Sequence, residues 1–292
     1  MTFTLYNDIH AFYAATYDLL LRNEGQNMIQ LGNLIIGHKG KDTFGWRDVR
    51  NWFMATVADD GGDTILFALM TPPHNLTLYE RDNVPSGNAL NYLVEGIIKN
   101  NISLPGVLAE AGLASRFAEL YAARASMDAK IKVRLRVHEL TKVNNDIPLI
   151  GAVREARRDD MSFLPYWVEH ANEDFGFGPA KIEADPASYH YFIDTGDLYF
   201  LEDGGLPVSM ARITRPMVTC CSVSIVYTTP YFRGRGYASS CVAQLSRIIL
   251  SRGFKKCVLY TDLANPISNS IYRKIGYLPV CDCLEIEIIG QK

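Results

Sequence analysis

The chain has 292 residues, of which 48% are hydrophobic and 21% are charged. This composition is typical of a globular protein, and the length exceeds that of one ordinary domain. The formal net charge is −3. Binding to nucleic acid or to an anionic membrane depends on basic surface, so we expect neither as a partner.

The sequence predicts a cytoplasmic protein. No segment approaches the roughly 20 apolar residues that span a bilayer, and the first 21 residues lack the basic region and small-residue cleavage site of a signal peptide. Four of the six cysteines lie in apolar runs, where buried free thiols are usual. Cys281 and Cys283 are too close for a two-armed zinc site and have no second pair. We therefore expect no metal.

The first half is predicted to begin with a helix. Ile9, Phe12 and Leu20 have helical spacing, with Asn7 or Asp8 as the cap. A second helix is expected over residues 28–36, three strands over 51–58, 64–71 and 75–80, and a helix over 87–99. Residues 104–126 indicate a loop and another helix, and residues 130–140 alternate like a half-buried strand.

The second half follows a polar linker near residues 144–150. A helix is expected over 158–173, then three strands in 197–203, 206–214 and 219–228. A helix over 238–252, a strand over 255–262, a helix over 266–274 and a closing strand over 281–289 complete the prediction. We therefore expect two domains, residues 1–145 and 150–292. Their similar element order favours two copies of one architecture, although no sequence repeat is visible.

The segment VYTTPYFRGRGYAS, residues 226–239, joins the last of these three strands to a helix. Pro230 cannot donate to a sheet ladder, so strand pairing should stop or splay there. A helix that begins at a glycine-rich turn presents unpaired N–H groups and the positive end of its dipole, which together bind anions such as phosphate. Two alternatives are a plain tight turn with solvated arginines and a Walker-type loop, but the Gly-Lys-Ser/Thr ending of the latter is absent.

A second segment, residues 259–280, contains a short predicted helix. Asn265 is expected to cap it, with Pro266 at its first position and Gly276 at its end. Isoleucines spaced four apart predict the buried stripe, with Asn269 and Tyr272 beside it and pointing into a crevice. The alternative is that Tyr272 packs on the sheet and Asn269 is solvated.

These two segments resemble the motifs of the GCN5-related N-acetyltransferase (GNAT) superfamily. Arg233-x-x-Gly236-x-Ala238 is similar to that family's acyl-CoA loop, and Asn265 to Tyr277 is similar to its following helix. The resemblance covers residues 150–289, and the first half has no such loop. It implies an α/β (α+β) GNAT fold with a mixed, mostly antiparallel central sheet flanked by helices.

The resemblance also implies an activity and its residues. It implies an acetyl-CoA-dependent N-acetyltransferase in which an amine of a small molecule or peptide attacks the thioester directly. Tyr272 would donate a proton to the departing thiolate, and a backbone N–H near Val226 would stabilise the oxyanion. The residues implied to bind the cosubstrate are Ile225, Val226, Tyr227, Thr228, Arg233, Gly234, Arg235, Gly236, Tyr237, Ala238, Ser239, Asn265 and Asn269.

The general base is the part of the pattern that this chain lacks. Many members of the family carry a Glu on the splayed strand, but residues 219–228 contain no acidic residue. A water chain is one alternative. The others are nearby acids and histidines, namely Glu169, Glu173, Asp174, His170 and His190. A covalent acyl-cysteine route through Cys220, Cys221 or Cys241 is disfavoured, because their neighbours are apolar and no His lies close to them in the sequence.

Two other functions remain open at this point. A chain without the base would act as an acyl-CoA-binding sensor or scaffold. An RNA-binding role through Arg-Gly repeats is weak, because only one such unit is present and the net charge is negative. The sequence does not identify the amine or the oligomeric state, although dimers are common among soluble enzymes.

Overall fold

The computed structural model describes residues 1–40, 48–82, 87–176, 178 and 186–290. Trp46, an aromatic residue of the first half, lies outside them. Contacts divide the chain into two units. The first comprises Met1–Val137, Thr261–Ala264 and Val280–Lys292, and the second comprises His138–Tyr260 and Asn265–Pro279. None of the described helices has both the length and the hydrophobicity needed to cross a membrane.

The first unit contains a sheet with the strand order β1-β2-β3-β4-β5-β12-β6. Its strands are β1 (Thr2–Tyr6), β2 (Phe53–Ala58), β3 (Thr64–Met70), β4 (Leu76–Glu80), β5 (Gly106–Glu110), β6 (Met127–Leu140, of which the last three residues belong to the second unit) and β12 (Leu278–Gly290, from Val280 onward). Its helices are α1 (Ile9–Leu21), α2 (Met28–His38), α3 (Gly87–Lys99) and α4 (Ala111–Ala125).

Local rules account for several of these elements. Asp8 caps α1, because its carboxylate accepts hydrogen bonds from the amides of His10 and Ala11 at 3.3 and 2.9 Å. Strands β2 and β3 are buried on both faces, as their apolar sequences predict. Helices α3 and α4 place their apolar stripes, including Leu93 and Phe117, against this sheet.

The second unit has the strand order β11-β10-β9-β8-β7. Its strands are β7 (Ala152–Glu155), β8 (Leu198–Asp203), β9 (Leu206–Thr214), β10 (Cys220–Thr228) and β11 (Lys256–Asp262, through Tyr260). Its helices are α5 (Leu164–Asp174), α6 (Pro186–Asp194), α7 (Tyr237–Ser251) and α8 (Pro266–Ile275). Strands β7 to β10 are antiparallel neighbours, whereas β11 is parallel to β10.

The two units repeat one order of elements, which confirms the expected similarity of architecture. In the first unit, β4 ends an antiparallel run, leads into α3, and pairs in parallel with β5 over Leu76 and Thr77. In the second, β10 ends an antiparallel run, leads into α7, and pairs in parallel with β11. Both sheets are mixed and mostly antiparallel with flanking helices, as predicted.

Four elements escaped the sequence prediction, namely β1, β5, β7 and α6. Three of them are short strands of four or five residues. The sequence around β5 is typical of a loop, because Pro105 precedes the strand and Gly106 begins it. Helix α4 then follows β5 directly, with no turn residue between them. The predicted helix over 158–173 is also divided, because Arg158–Ser162 form a 3-10 turn before α5.

Buried thiols in the second unit predict an alkaline loss of stability. Burial raises the pKa of Cys221, Cys241 and Cys257 from 9.0 to about 12. These thiols would ionise in the unfolded chain above pH 9 but remain protonated in the folded chain. The stability is therefore fully present below pH 9 and lost as the pH rises from 9 toward 12, by up to about 1.4 kcal/mol per pH unit for each thiol.

Urea unfolding at pH 8, 9 and 10 measures this effect, with fresh reductant present. Cys257→Ala should flatten the slope relative to the native chain, whereas Cys281→Ala, at a half-buried position, serves as the control. An unfolding free energy that stays constant from pH 8 to 10 would contradict the prediction.

Candidate functional site

Strand β10 is irregular at its centre. Ser224 pairs with Arg212 of β9, and the next pair is Tyr227 with Met210. Ile225 and Val226 therefore lie opposite a single β9 residue, Ala211, which is the arrangement of a β-bulge. Ile225 has a φ of +50°, a conformation that is costly for a β-branched residue. Strain of this kind is concentrated at functional sites.

The bulge separates the side chains of its two residues. Ile225 packs against the cluster formed by α5, α6 and the sheet, which includes Leu164 and Tyr189. Val226 packs against the cluster on the other side, which includes Tyr237 and Tyr272. The backbone of β10 beyond the bulge is held by Ser209, whose hydroxyl donates to the Tyr227 carbonyl and contacts the Thr228 hydroxyl, both at 2.9 Å.

The parallel pairing of β10 with β11 ends before the bulge. Their parallel register runs from Cys220 opposite Lys256 to Ser222 opposite Val258 and includes no later residue. Among the described residues, the side of β10 that faces β11 therefore has no strand partner from Val223 onward. A splayed pair of parallel strands leaves backbone amides and carbonyls available to an extended ligand, which can add to the sheet edge as a strand would.

The chain then turns through the glycine-rich loop into α7. Gly234 and Gly236 have φ values of +76° and +84°, a left-handed conformation that glycine adopts without strain. Gly236 is the cap of α7 and provides no side-chain hydrogen bond. Within the described ranges, the amides of residues 234–239 have no hydrogen-bond acceptor, and the first amide bonded to this turn is that of Ser240, to the Gly236 carbonyl. This turn can therefore bind an anion.

The two arginines of the loop differ in their surroundings. Arg233 donates to the Thr228 carbonyl at 2.9 Å and forms an ion pair with Asp174 of α5 at 2.5 Å. Arg235 lies over the rings of Tyr231 and Phe232, 5.1 and 5.9 Å from their centroids. The Arg233 pair is about half exposed, so we expect it to contribute at most about 1 kcal/mol to stability.

Helix α8 has the predicted caps. The Asn265 side chain accepts from the Ser268 amide at 3.0 Å, with Pro266 in the first turn and Gly276 at the end with a φ of +117°. The Asn269 side chain donates to the Asn265 carbonyl at 2.7 Å. The Asn265 side-chain oxygen is therefore engaged in capping the helix.

The buried face of α8 is not the one expected. Ile267 is 72% exposed, whereas Tyr272 and Ile275 are buried, so the ring of Tyr272 lies in the core rather than beside the stripe. The predicted buried stripe followed the three isoleucines spaced four apart, and its first member, Ile267, is exposed. The Tyr272 ring packs edge-on to Tyr277, with centroids 5.8 Å apart.

The Tyr272 hydroxyl is buried and stays protonated. Burial, with a smaller effect of the nearby Cys241 thiol, raises its pKa well above the usual 10.0. The phenol is therefore protonated at every physiological pH. Among the described residues its hydroxyl has no hydrogen-bond partner, and the residue retains 8% exposure. Burial also raises the pKa of Cys241 to about 12, so this thiol is a poor nucleophile at neutral pH.

Most of the acids and histidines considered as the general base form hydrogen bonds or ion pairs with other residues. Tyr189 donates to Glu169 at 2.7 Å between α5 and α6, and Asp174 pairs with Arg233. His170 contacts the carbonyl of Tyr166 at 2.8 Å. His190 is different, because its buried Nδ1 has no partner among the described residues. Glu173 is exposed. The ion pair with Arg233 places Asp174 against the loop that follows the bulge.

The sequence did not predict the contacts that hold the loop in place. Ser209 fixes the end of β10, Asp174 pairs with Arg233, and Tyr237 at the start of α7 donates to Asp203 at 2.5 Å. The Ser240 hydroxyl exchanges hydrogen bonds with the amide and carbonyl of Ile150 at 2.9 and 2.8 Å. No local pattern reports these contacts, because each partner lies far away in the chain.

Comparisons with known proteins bear on the fold. Residues 208–284 match the family model described as FR47-like protein. The fold resembles that of an acetyltransferase of the GNAT family from Colwellia psychrerythraea, with 10% identity, full coverage of both chains and a TM-score of 0.57. It also resembles a GCN5-related N-acetyltransferase from Sphaerobacter thermophilus, with 15% identity, coverage of 99% of this chain and 96% of that one, and a TM-score of 0.65.

A Drosophila protein solved by X-ray crystallography is similar as well, with 14% identity, 99% coverage of both chains and a TM-score of 0.67. No curated protein matches the chain. At these identities the similarity establishes a fold, and that fold is the one of the GNAT acetyltransferases. Because the matches span nearly the whole chain, they include the first unit as well as the second.

Proposed function

We propose that the protein is an acetyl-CoA-dependent N-acetyltransferase that acts on a primary amine of a small molecule or peptide. The observation that carries this proposal is the end of β10, which bulges at Ile225 and Val226, has no described partner on its β11 side, and leads into the glycine turn at Gly234 and Gly236. We assign the activity to residues 150–292 and treat residues 1–145 as a second domain without the acyl-CoA loop.

The described residues fit the cosubstrate. The amides of residues 234–239 and the positive end of α7 suit a diphosphate, and Arg235 adds a guanidinium beside them. The backbone of residues 225–228 suits the amide groups of a pantetheine arm, because the side that faces β11 has no described strand partner. Asn265 and Asn269 would contact the same arm from the first turn of α8.

Bound acetyl-CoA would supply an activated acetyl thioester. The protein's own groups would stabilise the oxyanion, protonate the leaving sulfur and position the reactants. The Val226 amide at the bulge would stabilise negative charge on the thioester oxygen. Tyr272, held protonated by burial, would donate its proton to the sulfur that departs. The remaining contribution is the positioning of the amine and the thioester side by side in one complex.

Among the described residues, the first unit has a regular strand where the second unit has its bulge. Its strand β4 pairs with β3 in a regular register from Leu66 opposite Glu80 to Leu69 opposite Thr77, with no bulge. The amide of Arg81, which follows β4, donates to the Ile65 carbonyl at 2.8 Å. We therefore propose that the first domain does not hold the cosubstrate.

A second candidate is an acyl-CoA-binding sensor or scaffold. It is favoured by the absence of an acidic residue from β10 and by the engagement of Glu169 and Asp174 in other contacts. Such a protein would bind acetyl-CoA and would not release free CoA with any amine.

One pair of measurements tests the proposal. Hydrogen exchange at saturating acetyl-CoA should slow at the amides of residues 234–239 relative to the free protein. Release of CoA thiol should then depend on an added amine from a panel of polyamines, amino sugars and peptides. Exchange that does not slow at these amides would refute the loop assignment, and protection without release for any amine would favour the sensor.

The Arg233–Asp174 ion pair leads to a separate prediction. Asp174→Asn removes a negative charge beside the loop and releases Arg233 toward the diphosphate, so acetyl-CoA should bind about fivefold more tightly, equivalent to about 1 kcal/mol. Titration calorimetry measures this change. The matched control is Glu173→Gln, which removes the same charge at an exposed neighbour. Equal tightening by both variants would show a general charge effect, and unchanged binding with abolished turnover would make Asp174 the base.

A further inference from the structure

Two cysteines lie side by side on β12, outside the proposed acetyl-transfer site. Cys281 and Cys283 are two positions apart on a strand, so their side chains project from the same face. Their sulfur atoms are 3.9 Å apart. Asp282 projects from the opposite face, where Arg136 donates to its two carboxylate oxygens at 2.6 and 2.9 Å.

The two thiols differ in access. Cys283 is 2% exposed, whereas Cys281 is half-buried, so a reagent would reach the pair from the Cys281 side. From Cys283 onward, β12 is fixed by its antiparallel pairing with β5, in which Cys283 lies opposite Glu110. The backbone of the pair is therefore anchored on one side by a strand and at Asp282 by an ion pair.

This geometry disfavours a disulfide between the two residues. Neighbours two positions apart on a strand have Cα atoms about 6.6 Å apart, which is near the upper limit of about 6.8 Å for disulfides. The sulfur atoms would also have to close from 3.9 Å to about 2.05 Å. Closure would require β12 to shift against both of its anchors.

A single atom that bridges the sulfurs fits without such a shift. Thiolates bind a tetrahedral Zn²⁺ at about 2.3 Å, which places two of its sulfur ligands about 3.8 Å apart. The observed separation is 3.9 Å. We propose that Cys281 and Cys283 form a two-thiolate site for a soft d10 metal ion such as Zn²⁺ or Cd²⁺.

Metal binding would replace the protons of the two thiols. Two S–H bonds break, two sulfur–metal bonds form, and two protons pass to solvent, so affinity rises with pH. In the described part of the chain no cluster of three or more His, Cys, Asp or Glu residues could hold a metal. Water therefore fills the remaining positions, and the site is a surface dithiol rather than the four-ligand structural zinc site that the spacing argues against.

Titration of the reduced full-length protein with Cd²⁺ tests the proposal through the ultraviolet sulfur-to-cadmium charge-transfer band. We expect one Cd²⁺ per chain, two protons released, and at least about a tenfold loss of affinity in Cys281→Ser, since even outer-shell changes cost about 10–100-fold. The control is Cys257→Ser, because Cys257 lies opposite Cys221 in the β10–β11 register and is a second cysteine with a cysteine neighbour. This control should keep native affinity.

A second reagent keeps the test decisive if a variant folds poorly. Phenylarsine oxide condenses with two thiols to form two arsenic–sulfur bonds and one water. On the native chain, mass spectrometry should find one adduct that links Cys281 to Cys283. Native Cd²⁺ affinity in Cys281→Ser, loss of affinity in Cys257→Ser, or an arsenical on any other cysteine would overturn the assignment.

Discussion

Gly236→Glu should abolish the binding of acetyl-CoA while the protein still folds. The new carboxylate would lie at the start of α7, among the amides of residues 234–239 that have no acceptor in the described part of the chain. It would occupy the position proposed for the diphosphate, and its negative charge would repel the diphosphate. The loss of two or more charge-assisted hydrogen bonds, each worth about 1.5–3 kcal/mol, predicts at least about a 100-fold weaker affinity by calorimetry.

The fold should tolerate this substitution. A Cβ atom at Gly236 would have its nearest contact with the Ile150 side chain at 3.4 Å, an ordinary van der Waals distance. The remaining cost is that of a φ of +84° for a residue with a side chain, about 1–2 kcal/mol. Circular dichroism and thermal unfolding should therefore show a folded, slightly less stable protein.

Two variants separate charge from backbone strain. Gly253→Glu places the same residue at a φ of +96°, with open space around it, just beyond the far end of α7. It should lose similar stability and keep native affinity. Gly236→Asn has no charge and tolerates the left-handed conformation, so it should bind more tightly than Gly236→Glu. Native affinity in Gly236→Glu would remove the loop from the proposed function.

The features that could be predicted from the sequence are those that depend on neighbours in the chain. The caps of α1 and α8 follow from Asp8 and Asn265, each of which bonds an amide within three residues. The glycine turn into α7 follows from Gly234 and Gly236, which adopt the left-handed conformation. The bulge at Ile225 and Val226 lies within the stretch of β10 where free backbone groups were expected.

The features that could not be predicted depend on residues distant in sequence. The ion pair between Arg233 and Asp174 joins positions 59 residues apart, and Ser209 holds the carbonyl of Tyr227 across two strands. The depth of Tyr272 was also misjudged, since the pattern of isoleucines alone cannot show that the sheet covers Tyr272 and leaves Ile267 exposed. The pairing of β12 could not be predicted either, because β12 follows α8 in the chain but pairs with β5 of the first unit.

Tyr272→Phe should lower turnover far more than it lowers affinity for acetyl-CoA. The substitution keeps the buried ring and its edge-on contact with Tyr277 and removes the hydroxyl, which burial keeps protonated. A positioned general acid contributes about 10²–10⁴-fold to a rate, so we expect kcat to fall at least about 100-fold, with a change in Kd of less than about threefold.

The matched control is Tyr277→Phe, because Tyr277 is also fully buried and its hydroxyl bonds Ser246 at 2.9 Å. That variant loses a buried hydrogen bond, which should cost about 1 kcal/mol of stability and leave kcat near the native value. An acid role also predicts that an activated thioester with a better leaving thiol rescues Tyr272→Phe, since such a thiolate needs no proton to depart. Native turnover in Tyr272→Phe, or an equal loss in Tyr277→Phe, would assign Tyr272 to packing, and the proton for the leaving sulfur would then have to come from water.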